Sequence, residues 1–228
     1  MHIITLSVDD GFPKSNRLIA ALYERYGLSA CFNIIADNAA LADEWHTGNN
    51  PGTDYFSLWN ELQARGHEIM PHGLHHEDYP TLPLAEAKAS ILRCLDIFTA
   101  RLDGFTARCA VFNMPYNHSS PELEEYLPTV VRAFRTSGDG INPLPYPGQA
   151  KLTSTGSGPA NCEAHLDAQI DRLLAQPSGW LIYFLHGIDD EGWGPIRATY
   201  LEQLLTRLTA IPSVRMLPAG KALELVGG

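Results

Sequence analysis

The chain has 228 residues, with 16 Lys+Arg against 26 Asp+Glu and a formal net charge of −10. A composition that is 45% hydrophobic and 18% charged belongs to a folded domain and excludes a disordered chain. The acidic balance opposes binding to a nucleic-acid backbone, and no apolar run reaches the roughly 20 residues of a membrane span.

A single domain over residues 1–228 is expected at this length. Strand-like sequence starts at once, at His2-Ile3-Ile4-Thr5-Leu6. No signal-peptide pattern precedes it, so the cytoplasm is the expected location. The cysteines, Cys31, Cys94, Cys109 and Cys162, are scattered without Cys-x-x-Cys spacing and read as buried thiols in a reducing compartment. In chain order the pattern predicts a strand at 2–8, a helix at 15–26, a strand at 29–34, a helix at 56–65 and a strand at 66–70. A helix at 84–101 follows, with Ala87, Ile91, Leu92, Leu95 and Phe98 at helical spacing. Then come strands at 108–112 and 130–135, a helix at 162–175, a strand at 180–185, a helix at 198–209, a strand at 213–216 and a short helix at 219–225. Gly66, Gly104 and Gly179 punctuate turns that lead into strands. This alternation means βαβ units and a parallel sheet, either a closed barrel or an open doubly wound sheet. Two long loops, 36–55 and 138–160, are expected at strand C-terminal ends.

Polar residues collect just past the strand ends. The first strand runs into Ser7-Val8-Asp9-Asp10-Gly11-Phe12-Pro13. Adjacent carboxylates project differently, so one can bind a metal while the other serves as a base; a turn at Asp10-Gly11 with Asp9 as a helix cap is the structural alternative. Past the third strand, His67, His72, His75 and His76 fall within ten residues. His72 and His76, four apart, can reach a single divalent ion, with His75 offering a competing register. His67 is expected in the strand as a structural histidine. Phe112-Asn113-Met114-Pro115-Tyr116-Asn117 reads by itself as a proline-bent loop. His186 follows a buried strand directly and is an acid/base candidate. Asp9, Asp10, His72, His76, Tyr116 and His186 thus all lie beyond strand C-termini, the face where parallel α/β proteins keep their sites. One shared site is expected.

In this order the motifs resemble those of the NodB-homology polysaccharide deacetylases, carbohydrate esterase family 4. The family's Thr-Phe-Asp-Asp-Gly is similar to Ser7-Val8-Asp9-Asp10-Gly11, and its His-(Ser/Thr)-x-x-His to His72-Gly73-Leu74-His75-His76. Its Arg-x-Pro-Tyr-Gly is matched in part by Asn113-Met114-Pro115-Tyr116-Asn117, and its late leucine-flanked histidine by Leu185-His186. The resemblance spans residues 5 to about 190 and implies a distorted (β/α)7 barrel. It implies Asp10, His72 and His76 as ligands of a divalent metal, most often zinc, and Asp9 as the general base. It implies the Tyr116 backbone N–H as an oxyanion donor and His186 as the acid for the departing amine. Phe184, two residues before His186, is placed to wall an acyl pocket.

Asn113 stands where the family has an arginine that orients the base, and it is grouped with Phe184 and Trp193 as a substrate-binding residue. The family's Asp-x-x-Asp-Trp segment is replaced by Arg135-Thr136-Ser137-Gly138-Asp139. The base is therefore expected to work without a guanidinium partner, unless Arg135 reaches it from the next strand end. Gly187-Ile188-Asp189-Asp190-Glu191-Gly192-Trp193 adds acidic and aromatic residues suited to a polar substrate. The expected activity is removal of an N-linked acyl group, chiefly acetyl, from a sugar or polysaccharide, with neither nucleic acid nor membrane as partner. Two alternatives stand beside it: hydrolysis of another C–N bond by an allantoinase-like relative, and a non-catalytic carbohydrate-binding protein.

Overall fold

The computed structural model describes residues 1–37 and 55–226. Its elements are β1 (His2–Val8), α1 (Pro13–Arg25), β2 (Cys31–Ile34), α2 (Tyr55–Ala64), β3 (Glu68–Pro71), α3 (Leu84–Arg101), β4 (Val111–Asn113) and α4 (Pro121–Tyr126). They continue with β5 (Ala133–Ser137), β6 (Ile141–Asn142), β7 (Lys151–Ser154), α5 (Cys162–Leu174), β8 (Gly179–Leu185), α6 (Ala198–Thr209), β9 (Val214–Met216) and α7 (Ala219–Glu224).

Parallel ladders join β3 to β2, β2 to β1 and β1 to β8, and separately β4 to β5 and β5 to β7. A parallel bridge from Thr155 to Tyr183 ties the end of β7 to β8. Seven strands thus follow one ring, β1-β2-β3-β4-β5-β7-β8, which is the distorted (β/α)7 arrangement. No ladder closes β3 onto β4 among the described residues. Side chains span that gap: the Val111 N–H donates to Met70 Sδ at 3.4 Å, and Asn113 Nδ2 to the Pro71 carbonyl at 3.4 Å. Two further strands wedge into the ring. β9 pairs the first half of β1, leaving only Ser7 and Val8 for β2, and β6 runs antiparallel to the start of β8.

Successive strand residues face opposite sides, and the core divides accordingly. Ile4, Leu6 and Val8 of β1 pack outward against the helices, in the larger apolar cluster. Ile3, Cys31, Val111, Ala133, Leu152, Trp180 and Ile182 fill the base of the barrel from six strands, and Ala219, Ala222 and Leu223 of α7 plug it. The inward positions two residues further along are polar: Asn33, Asn113 and Arg135, with Thr5, Ser7 and Asp9 on β1, all buried. A dry floor therefore supports a polar layer, and the site lies above it.

Several expectations need correction. The 138–160 segment is not one loop, since it contains β6 and β7; α4 also lay outside the predicted elements. Of the 36–55 loop, residues 38–54 lie outside the described residues. Cys109 is exposed, unlike the other three thiols, because it ends a short turn just ahead of β4. No described helix is long and apolar enough to cross a membrane.

Candidate active site and metal centre

The two adjacent carboxylates part company because the backbone turns between them. The Asp9 N–H still donates to the Leu185 carbonyl at 2.8 Å, extending the β1–β8 ladder, so Asp9 faces the barrel axis as Ser7 does. Asp10 and Gly11 then take left-handed φ angles of 71° and 80°, which swing Asp10 toward β3. Both carboxylates are buried.

Asp9 sits in the polar layer. Arg135 of β5 grips it with both guanidinium ends, Nη1 to Oδ1 at 2.9 Å and Nη2 to Oδ2 at 2.7 Å. Arg135 is itself only 1% exposed, and its Nη1 also donates to Ser7 Oγ at 2.7 Å. Asn33 Nδ2 donates to Asp9 Oδ1 at 2.7 Å and to Ser7 Oγ at 2.6 Å. Asn113 Nδ2 in turn donates to Asn33 Oδ1 at 2.8 Å. Burial pushes the Asp9 carboxyl upward, but the charge of Arg135, then His72, the Arg135 hydrogen bonds and His186 together hold it below the usual carboxylate range. The expectation of an Asp9 without a guanidinium partner is thus overturned in favour of its stated alternative, Arg135 reaching it from the next strand end. Asn113 also leaves the substrate-binding group: it is 2% exposed and does not line the cleft.

Asp10, His72 and His76 converge with one donor atom each, all within 4.8 Å of one another. Asp10 Oδ1 lies 3.3 Å from His72 Nε2 and 3.4 Å from His76 Nε2. The His72 tautomer follows from its other nitrogen, Nδ1, which is 2.9 Å from the Asn113 carbonyl. A carbonyl only accepts, so Nδ1 donates there, and Nε2 is the atom turned toward the Asp10 carboxylate. An imidazole Nε2 and a carboxylate oxygen are both donor types that bind divalent cations. Donors about 2.0–2.1 Å from a tetrahedral zinc stand roughly 3.3–3.4 Å apart, so the residues present fit such an ion. His75 belongs elsewhere, with Nδ1 on the Asp37 carbonyl at 3.1 Å. His67, immediately before β3, accepts the Ala30 N–H at Nδ1 and meets Glu24 at Nε2, a structural role.

Gly73, in the slot where the resembled motif has Ser or Thr, has a φ of 87°. A Cβ there would stand 2.8 Å from Pro115 Cγ and 3.3 Å from the Tyr79 hydroxyl, so only glycine fits between the β3 and β4 ends.

A cleft of about 460 Å³ opens above Asp9 and Asp10, lined by His72, His76, Tyr116, Asn117, His118, Phe184, His186 and Trp193. His186 Nε2 is 3.9 Å from Asp10 Oδ2, and the ring is held edge-on by Phe184 at 5.8 Å and Trp193 at 5.4 Å. On the opposite wall the Tyr116 ring lies against His76 with centroids 4.5 Å apart. Tyr116 and Asn117 have φ angles of 55° and 53°, an arrangement costing of order 1–3 kcal/mol for the bulky Tyr116. Strain of this kind at a cleft marks a place where the backbone is shaped for function. His118 and Asn33 are site residues that sequence reasoning missed.

Of the acidic run after β8, only Trp193 faces the cleft. Asp189 accepts the Ala198 N–H at 2.9 Å, Asp190 pairs with Lys14 at 2.6 Å, and Glu191 accepts the Ser15 N–H at 2.6 Å. Those carboxylates hold the loop onto α1 and α6 and are not substrate contacts. A second cavity of about 380 Å³ lies at the plugged end, lined in part by His67, Glu68 and Lys221.

The same architecture occurs in solved structures. The Xyl-CE4 domain of a multidomain xylanase from the hindgut metagenome of Trinervitermes trinervoides superimposes with a TM-score of 0.64 at 15% identity, covering 98% of this chain and 90% of that one. Peptidoglycan deacetylase PdaC from Bacillus subtilis gives 0.62 at 16% identity, covering 98% and 91%. A 4-alpha-glucanotransferase from Thermococcus litoralis gives 0.66 at 14% identity, covering 98% of this chain and 40% of that one. One fold thus hosts different chemistries, and these likenesses establish the fold alone. No curated protein gives a significant sequence match. The polysaccharide deacetylase family model matches residues 2–128. That segment is more than half of the chain and carries both carboxylates, both converging histidines and the strained Tyr116, and on it this chain belongs to the polysaccharide deacetylase family.

Proposed function

We propose that this protein is a metal-dependent hydrolase that removes an N-linked acyl group, in the simplest case acetyl, from an amino sugar in a saccharide. The observation that carries the reading is the convergence of Asp10, His72 and His76 beside a buried carboxylate, Asp9, that is held for another task. Asp10, His72 and His76 would hold a divalent ion, zinc by the character of one carboxylate and two imidazoles. When bound, such an ion supplies Lewis acidity at the amide carbonyl and makes water more acidic.

The chain's own residues account for the proton movements. Asp9 accepts a proton at its carboxylate as water adds to the carbonyl carbon. The Tyr116 N–H, presented by the left-handed turn at the cleft, donates to the developing oxyanion. His186 Nε2 delivers a proton to the amide nitrogen as the C–N bond breaks, so the products are a carboxylate and an amine. Phe184 and Trp193 close the wall behind His186 and suit a small apolar acyl group, while the Tyr116 ring, 56% exposed, offers a face to the sugar. The non-catalytic alternative leaned on Asn113, and Arg135 now supplies the charge whose absence supported it. The metal-independent alternative fits poorly with an assembled donor trio.

The test is release of acetate together with a free amine from N-acetylglucosamine, its oligomers and peptidoglycan fragments, measured in the parent and in Asp9→Asn. Product from any of them in the parent and its loss in Asp9→Asn is the expected result. No product from the whole panel, with the protein loaded with zinc, overturns the reading.

A further inference from the structure

We infer that Asn117 makes the acyl end of the cleft selective for an N-acyl group with a hydroxyl on its α-carbon, a 2-hydroxyacyl amide. The inference rests on the proposed hydrolysis, since it concerns the group that this reaction releases. The resembled motif ends on glycine where this chain has Asn117. At a φ of 53° Asn117 keeps the left-handed backbone that glycine adopts freely and asparagine tolerates better than most residues. The turn is retained and a carboxamide is added to it. Nearly all of the residue's hydrogen-bonding capacity is spent. Its N–H donates to the Met114 carbonyl at 3.0 Å, its carbonyl accepts from Thr136 Oγ1 at 2.8 Å, and Oδ1 accepts from Ser154 Oγ at 2.8 Å. Nδ2 has no partner among the described residues, and it keeps contact with solvent. Asn117 is otherwise buried and lines the cleft, so this donor opens there.

The anchor decides which end of the cleft the donor serves. Asn117 follows β4, but Ser154 ends β7, so the side chain reaches past β5. The next residue, Thr155, accepts the Phe184 N–H at 3.0 Å. Gly156 lies so close to the Phe184 ring that a Cβ there would stand 2.5 Å from Cζ, which fixes the ring in place. The carboxamide therefore stands on the β7–β8 side with Phe184, away from His72 and His76 at the β3 end. Phe184 is the wall given above to the acyl group. The acyl end thus combines a fixed apolar wall with one unspent N–H donor. An acetyl methyl leaves that donor without a partner, whereas a hydroxyl on the same carbon accepts from it. Hydrolysis then gives a 2-hydroxycarboxylate and the free amine, with water as the only co-reactant.

The experiment compares N-glycolyl and N-propionyl glucosamine oligomers, whose acyl groups differ only in a terminal hydroxyl against a methyl, in the zinc-loaded parent and in Asn117→Gly. Glycine suits the φ of 53°, so the variant removes the carboxamide and keeps the turn. The parent is expected to favour the glycolyl amide in kcat/KM by about tenfold, the scale of one hydrogen bond to a donor otherwise left unsatisfied. In Asn117→Gly the ratio should fall to within about twofold of unity. A loss shared by both amides cancels in this ratio, so a merely structural role for Asn117 would not move it. A parent without the preference, or an Asn117→Gly variant that keeps it, overturns the inference. Acetate release with neither of the two larger acyl groups removed overturns it as well. If the parent releases no acyl group from any saccharide, the proposed function fails on its own. Calorimetric Kd values of the two amides for the parent and Asn117→Gly then carry the same ratio and still decide this inference.

Discussion

Replacing Asp9 by Asn removes one charge from a buried pair and leaves the other. Arg135 is 1% exposed, so in the variant a buried guanidinium keeps its bond to Ser7 Oγ and loses its carboxylate partner. Breaking a buried ion pair from one side costs about 3–5 kcal/mol. In a domain of this size each kcal/mol moves the melting temperature by about 2–4 °C, so Asp9→Asn should melt roughly 6–20 °C below the parent. The fold survives, since net stabilities of about 5–15 kcal/mol are usual. A second change then discriminates. Asp9→Asn with Arg135→Met removes both charges and keeps the volume filled, so it should recover much of the lost stability. It should recover no activity, because the base is still missing, and in both variants kcat should be lower by about 100-fold or more. Thermal melting of the three proteins, followed by acetate release, reads the whole cycle. If the double variant is no more stable than Asp9→Asn, or if Asp9→Asn melts with the parent, the ion pair is not the buried anchor described above.

His76→Ala should bind less than a tenth of the parent's zinc, while His75→Ala, whose ring sits on Asp37, should bind the full amount; elemental analysis distinguishes them. His186→Ala should slow an N-acetyl sugar far more than an activated aryl ester, whose leaving group needs no acid; equal loss on both would make His186 structural. Glu68 provides a pH test away from the site. Burial raises its carboxyl above the ordinary 4.5, despite N–H donors from Gly220 and Lys221. A carboxyl raised on folding contributes stability below its unfolded value and loses it as pH climbs through the folded one. Glu68→Gln stays neutral throughout, so its melting temperature relative to the parent should rise with pH above 4.5. A difference that falls with pH would refute the raised carboxyl.

The elements most legible in the sequence were those with a single repeating period. The segment 84–101, with apolar residues at helical spacing, is α3 to the residue, and β1 coincides with the predicted 2–8. The barrel's wedges were not legible for physical reasons. β6 has two residues, and β7 has an exposed lysine and a threonine between its two buried positions, within a stretch rich in glycine and proline. Short strands of this kind are specified by their neighbours and not by their own pattern. The convergence of Asp10, His72 and His76 was readable from spacing together with the resembled motifs, although spacing alone left His75 and His76 in competition. Their separation depends on the left-handed backbone at Gly73 and His76, which residue spacing does not encode. The partner of Asp9 was legible only as an alternative, Arg135, because it comes from another strand. A signal was present: a charged residue in Ala133-Phe134-Arg135, on the inward parity set by Ala133, must find a counter-charge inside the barrel. The same parity argument from Cys31 reaches Asn33.

The claim that Asp10, His72 and His76 hold the ion that makes this chain a deacylase is tested most directly by metal titration. Chelator-treated protein is supplied with increasing zinc while acetate release from an N-acetylglucosamine oligomer is followed. Activity should rise in proportion to bound zinc and level off at about one ion per chain, with His76→Ala flat throughout. Full activity in the chelator-treated protein, or one bound ion without acetate release, would contradict it.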